Sequence, residues 1–237
     1  TKNLRLLTSV MVLPHRNPVL TAKILATIDV LSKGRLNVGC GVGWMREEFE
    51  ALDAPPFDER GAVGSEYIQI FKQLWTEDDP VFEGNYASFS NISFLPKPLQ
   101  DPHPPIWVGG QSRAAIRRSV RYGEAWHPVG ANPASPLEPD QLSADVEYMH
   151  SFCEQVGRDP ADLTIVMKAP VYDKELILEG KRRRFSGQPE QIIDDIRIYS
   201  DLGVSQLILD ARSPDLNEFI EKLDWLSENV MSQTGCL

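Results

Sequence analysis

Two glycine-rich runs and a few basic side chains are the parts of this sequence whose types and spacing could do chemistry. Gly39-Cys40-Gly41-Val42-Gly43-Trp44 closes an apolar stretch, Arg35 to Cys40, that reads as a strand. Glycines there let a backbone approach a flat ligand closely, because no β-carbon intervenes. They equally serve tight packing where a strand turns into a helix. A dinucleotide-binding loop would need a third glycine where Trp44 stands and an acidic residue closing a second strand about 20 residues on. The residues after Trp44 read as loop and helix start, so a Rossmann site does not fit. The second run, Gly109-Gly110-Gln111-Ser112, follows the strand-like Pro105 to Gly110 and leads into a helical pattern. Two glycines and an N-cap hydroxyl expose backbone N–H groups at the positive helix end. That is a sound phosphate cradle, and equally the make-up of an ordinary Ser-capped helix.

Single side chains add less. His127 ends the short apolar run Glu124 to His127. Its near-neutral intrinsic pKa suits a general acid or base, or it donates a structural hydrogen bond. Arg212, after the run Val204 to Leu209, could bind an anionic substrate group, or with Ser213-Pro214 it only starts the final helix. His15 reads as a hydrogen-bond donor in a polar turn. Lys181-Arg182-Arg183-Arg184 reads as a solvated loop rather than a phosphate site. Cys40, Cys153 and Cys236 form no CxxC pair and the four histidines no HExxH, so neither a disulfide framework nor a metal site is expected.

The elements that must position these residues alternate as short apolar runs and helical patterns. Strands are expected at Leu4–Val10, Arg35–Cys40, Pro105–Gly110, Glu124–His127, Leu163–Met167 and Val204–Leu209. Between and after them, helical spacing predicts helices at Pro18–Leu31, Gly64–Trp75, Ser112–Tyr122, Asp140–Val156, from Pro189 onward, and a last one carrying Leu216 to Leu226. Such repeated βα units imply a parallel α/β sheet, whose ligands bind at the C-terminal strand ends. Both glycine runs, His127 and Arg212 stand there. A single domain is expected over 1–231, with an irregular excursion at about 78–104 and a tail at 232–237. Six units fit an open doubly wound sheet. A closed barrel normally needs ~250 residues, and periodicity leaves both open.

Bulk properties exclude some partners. A net charge of −10 argues against nucleic acid, and no stretch approaches the ~20 apolar residues of a membrane span. A cytoplasmic protein acting on a small molecule is the expectation.

Taken in chain order, TSVMVLPHRNP, LSKGRLNVGCGVGWMREEFEALDAPPFDERG, PHPPIWVGGQS and YGEAWHP closely resemble the luciferase-like monooxygenase superfamily. Its nearest branch is the oxidoreductases that use the deazaflavin coenzyme F420. The similarity runs from about Leu4 to Leu226, with Asp53 standing where the usual pattern has Gly. The resemblance implies a (β/α)8 TIM barrel of the luciferase-like type, with Leu4–Val10 as its third strand. The first two βα units, about 60 to 70 residues, are then absent from this chain, and with them a further catalytic histidine. It also implies a bulge with a non-proline cis peptide at the end of that third strand, falling on Ser9–Val10, behind the cofactor ring. Gly41, Val42, Gly43 and Trp44 then lie beside the ring, and Val108, Gly109, Gly110, Gln111 and Ser112 on its phosphate side. Trp44 and Arg212 are the substrate contacts, with His127 as the catalytic candidate. The activity implied is hydride transfer between F420 and a small organic substrate. An FMN-dependent monooxygenase using reduced flavin and oxygen is the alternative. A non-catalytic flavin-binding protein or subunit is the reading of another class, and a homodimer is expected by analogy.

Overall fold

Where the helices begin and end follows from their capping residues. Pro18–Ser32 forms α1 because Asn17 caps it, accepting a 3.0 Å hydrogen bond from the Leu20 amide, and Pro18 fits the first turn. Lys33, at φ +61°, is its C-cap, and Gly34 continues the left-handed turn at φ +73°. The computed structural model describes residues 1–178 and 180–234. The end of the expected tail, Cys236 included, lies outside the described residues. The chain falls into two compact units, 1–126 and 127–237.

In the first unit, strand β3 (Leu36–Gly41) is buried along its whole length, as a central parallel strand must be. On one side it pairs in parallel with β1 (Leu6–Leu7) and β2 (Met11–Val12), and on the other with β6 (Ile106–Gly109). The single strand expected over Leu4–Val10 is therefore interrupted. Leu7 pairs with Asn37 and Met11 with Cys40, so four steps of one strand face three of its neighbour. One extra residue is the signature of a β-bulge, and the Ser9–Val10 peptide within it is cis. Helix α2 (Arg46–Ala51) was not expected, because six residues with only Phe49 buried carry no readable periodicity. Helices α3 (Arg60–Thr76) and α4 (Arg113–Tyr122) complete the unit. Val38, Ile68, Phe71, Leu74, Ile106 and Val108 make the centre of its core.

Between α3 and β6 the chain makes a hairpin, β4 (Phe82–Glu83) and β5 (Ser88–Phe89), and then an irregular return. Two buried carboxylates fix this excursion. Glu66 of α3 accepts the amides of Asn85, Tyr86 and Ala87 at 2.8–2.9 Å. Asp29 of α1 accepts those of Leu99 and Gln100 at 2.8 and 2.9 Å. Gly84 has no room for a side chain, since a β-carbon there would stand 2.5 Å from the Glu66 carboxyl.

Strand β7 (Ala125–His127) spans the boundary between the units. In the second unit, α5 (Pro139–Val156) leads to β8 (Thr164–Pro170), which pairs in parallel with β11 (Val204–Asp210). Between them lie the short strands β9 (Ile177–Leu178) and β10 (Lys181–Arg182) and helix α6 (Pro189–Asp201). The basic run is not the solvated loop that the sequence suggests. Asp195 of α6, fully buried, accepts both terminal nitrogens of Arg182 at 2.9 Å, one of Arg184 at 2.8 Å and the Phe185 amide at 2.8 Å. On the final helix, α7 (Leu216–Leu226), Leu226 is buried while Leu216, Ile220 and Leu223 stay exposed. Among the described residues no helix is long and apolar enough to cross a membrane.

Glu66→Ala strands three loop amides at once and is expected to cost roughly 3 kcal/mol of stability, read as a lower urea midpoint. Glu59→Ala, which removes only an exposed contact to the Tyr86 hydroxyl, serves as the comparison. Equal midpoints for the two variants would show that water replaces the carboxylate without loss.

Candidate active site

The bulge at Thr8–Val10 sets the geometry of the first unit's site. Where the strand breaks, the Thr8 side chain replaces the missing ladder: its Oγ1 donates to the Gly39 carbonyl and accepts from the Gly39 amide, both at 2.9 Å. The neighbouring strand must be glycine there, since a β-carbon on Gly39 would lie 1.8 Å from the Thr8 carbonyl oxygen. Val10 is pushed sideways across two further glycines. A β-carbon on Gly41 would meet its Cγ2 at 2.6 Å, and one on Gly109 its Cγ1 at 3.0 Å. Glycines that read as making room for a ligand thus first make room for Val10. The outer face of Val10 remains 40% exposed at the C-terminal strand ends.

The turn after β3 is built to hold Trp44 out. Gly43 lies at φ +83°, and a β-carbon there would meet Phe49 at 2.8 Å. Val42 seats on Gly64 of α3, where a β-carbon would come within 2.7 Å of its Cγ1. Phe49 stands edge-on to His15, with ring centroids 4.6 Å apart, and to Phe57 at 5.2 Å. The Arg46 and Arg60 guanidinium groups lie 4.6 and 4.0 Å from the Phe57 ring. Trp44 itself is 79% exposed, three residues beyond the end of β3. His15 was expected to donate a loop hydrogen bond. Its Nε2 is instead enclosed without a hydrogen-bond partner among the described residues.

Asp53, which replaces the family's usual Gly, sits at φ +49°. Asp is among the few residues that tolerate the left-handed region, so the backbone shape that favours Gly is kept.

At the second glycine run, Gly110 turns at φ +112° and Ser112 caps α4, its Oγ accepting from the Ala115 amide at 3.2 Å. The Trp126 indole donates to the Gly110 carbonyl at 2.8 Å and holds the turn before α4. A flat ring resting on Val10, with its phosphate at this turn, fits these residues. Cys40 is no nucleophile: burial, helped by the charge of Glu124, pushes its thiol up to about 12. Thr8, Phe49 and Trp126 were not anticipated, because their contacts lie 16 or more residues away in sequence or inside a loop without periodicity.

In the second unit His127 is fully buried, and its Nδ1 lies 2.5 Å from the Val166 carbonyl. A carbonyl only accepts, so Nδ1 carries the proton. Burial lowers the imidazole pKa below 6.5, the Val166 hydrogen bond opposes this, and the charge of Lys168 adds to the lowering. The neutral ring is therefore favoured, which suits positioning better than proton donation. Arg212 is 81% exposed and pairs through Nε with Asp210 at 2.8 Å, and the same carboxylate takes Lys168 at 3.3 Å. Among the described residues no group of three His, Cys, Asp or Glu could hold a metal ion.

Because His127 binds its proton more weakly folded than unfolded, its contribution to stability is full above pH 6.5. It is lost as pH falls from there toward the lowered folded value, where the unfolded state takes up the proton first. The thermal midpoint should fall over that window, and His127→Asn should flatten the fall. A profile of the same slope in the variant would assign the pH dependence to other groups.

The sequence pattern of the family described as luciferase-like monooxygenase matches residues 1–176. An FMNH2-dependent dimethylsulfone monooxygenase of Pseudomonas putida is 38% identical over 140 residues, which is 58% of this chain but only 38% of that protein. The chain thus spans well under half the length of that relative. Monooxygenase RslO1 from Streptomyces bottropensis has a similar structure, with a TM-score of 0.79 at 22% identity over 98% of this chain and 79% of that one. An F420-dependent secondary alcohol dehydrogenase in complex with an F420–acetone adduct gives 0.79 at 20% identity, covering 97% and 79%. These likenesses show the fold, α/β with parallel strands of the luciferase-like barrel type. With its pattern matched over 1–176, the chain belongs to the luciferase-like monooxygenase family.

Proposed function

We propose that this protein is an oxidoreductase in which the ring of coenzyme F420 rests on the Thr8–Val10 bulge and exchanges a hydride with a small organic substrate. The observation that carries the reading is Val10, 40% exposed and backed by Gly41 and Gly109. A bound deazaflavin supplies a two-electron hydride centre that reacts poorly with oxygen, whereas reduced FMN supplies oxygen activation. The chain's own part is binding, orientation and exclusion of water. Gly110, Gln111 and Ser112 stand at the positive end of α4, where a phosphate is favoured. Val42 and Gly43 shape the turn that presents Trp44, whose indole face offers the substrate an apolar wall.

The F420 assignment is supported by the resemblance of the Gly41–Trp44 and Gly109–Ser112 blocks to that branch. The FMN-dependent monooxygenase is kept as a second reading because the Pseudomonas putida relative is FMNH2-dependent. We also propose that two βα units precede Leu4 in the working protein. Leu4, before β1, and Leu6, within it, are exposed, and the solved relatives extend beyond the part that this chain covers.

The test is a fluorescence titration of the protein, carrying its upstream residues, with F420 and with FMN separately. F420 should bind at least tenfold more tightly, and a substrate should then bleach its visible absorbance without consuming oxygen. Tight FMN binding with oxygen-dependent turnover would move the assignment to the monooxygenase. Ring binding without any substrate-dependent reduction would make it a binding protein, and no binding of either ring would end the redox reading.

A further inference from the structure

A cavity of about 520 Å³ lies wholly within the second unit. It opens between the loops that follow β7 and β8, so it too is at the C-terminal ends of parallel strands, where α/β proteins place ligands. Its size is that of a small-molecule site, in the range of roughly 300–1,000 Å³. Pro136 and Pro139 give it apolar wall, and Lys181 to Arg184 line it from the other loop.

The four cations of that run are not equivalent. Arg182 and Arg184 are held by the buried Asp195, and Arg184 also lies 3.6 Å from Glu138. Arg183 is held differently. Its Nε donates to the Ala131 carbonyl at 2.6 Å, and its guanidinium carbon lies 4.9 Å from the Tyr172 ring centroid. That fixes the plane of the guanidinium while its two terminal nitrogens have no partner among the described residues. The Lys181 ammonium has none either. Two neutral donors add to them. Asn132 uses its Oδ1 on the Ala134 and Ser135 amides, and Gln141 its Oε1 on the Glu138 amide, so the NH2 ends of both remain available. Of the carboxylates lining the cavity, Glu138 caps α5 and faces Arg184, which leaves Asp140, exposed in the first turn of α5, against two unpaired cations.

We propose that this cavity binds a small organic oxyanion, its carboxylate or phosphate group held by the terminal nitrogens of Arg183 and by Lys181. A pre-oriented guanidinium fork matches two oxygens of such a group and loses little entropy on binding. The prolines cover the carbon skeleton. This site is independent of which ring rests on the bulge in the first unit.

The experiment is isothermal titration of the protein, without any cofactor, with inorganic phosphate and with succinate at constant ionic strength set by chloride. Saturable binding of at least one is expected, weakened at least tenfold by Arg183→Gln and severalfold by Lys181→Gln. The Lys181 variant removes no contact within the fold, so it reads binding even if the Arg183 variant is destabilised. Arg197→Gln, on the outer side of α6, should change nothing. Phosphate binding alone assigns a phosphate ester as ligand, and succinate binding alone a carboxylate. Affinity unchanged in both the Arg183 and Lys181 variants would place the anion elsewhere, for example at Ser112, and overturn the proposal. Absence of saturable binding by either anion would do the same.

Discussion

The irregular parts of this protein are held by single carboxylates, buried on helices, that collect the amides and cations of distant loops. A buried charge is tolerable only when hydrogen bonds surround it, and a loop amide taken from water needs an acceptor. Asp29, Glu66 and Asp195 meet both needs at once. Each stands on the inner side of a helix, and each receives at least three donors from a loop or short hairpin outside that helix. The same device has different consequences in the two units. In the first it holds the hairpin and the return to β6. In the second Asp195 takes up Arg182 and Arg184, which leaves Arg183 and Lys181 as the cations of the cavity wall that Asp195 does not hold.

The site on the first unit follows from a different constraint, the fit between a bulge and the glycines opposite it. A strand that carries one extra residue cannot keep its backbone ladder, and Thr8 closes the gap with its hydroxyl. The displaced Val10 then needs neighbours without side chains at Gly41 and Gly109. Substituting either glycine would not merely narrow a ligand site; it would push the bulge itself out of place. The apolar surface offered to a ring and the packing that creates it are the same atoms.

Much of this fold was legible in the sequence. The alternation of runs and helical spacing located the long helices, and Pro18 and Ser112 marked two helix starts that the structure keeps. The family pattern placed the Ser9–Val10 peptide correctly. The bulge there was implied by the family resemblance and not by the residues themselves, because Leu4 to Val10 is an unbroken run of strand-compatible residues, and nothing local shows that Leu7 and Met11 face residues three apart. Helix α2 is too short for a period. The three carboxylates were unreadable for a more basic reason. Their partners lie 10 to 71 residues away, and one Asp or Glu on a helix looks like any other until its loop arrives.

The basic run shows why charge is poorly judged from sequence. Four cations in a row within a chain of net charge −10 suggest a solvated loop, since their mutual repulsion is relieved by water and salt. Net charge, however, acts over the whole surface, while a binding site answers to charges within a few ångströms. Asp195 removes two of the four from that local count by drawing them under α6. It also lowers the repulsion that Arg183 and Lys181 would otherwise feel from their neighbours, so the two can face one cavity without a carboxylate of their own. One buried Asp on a neighbouring helix thus turns a uniform stretch of charge into two structural arginines and two cations without a carboxylate partner among the described residues.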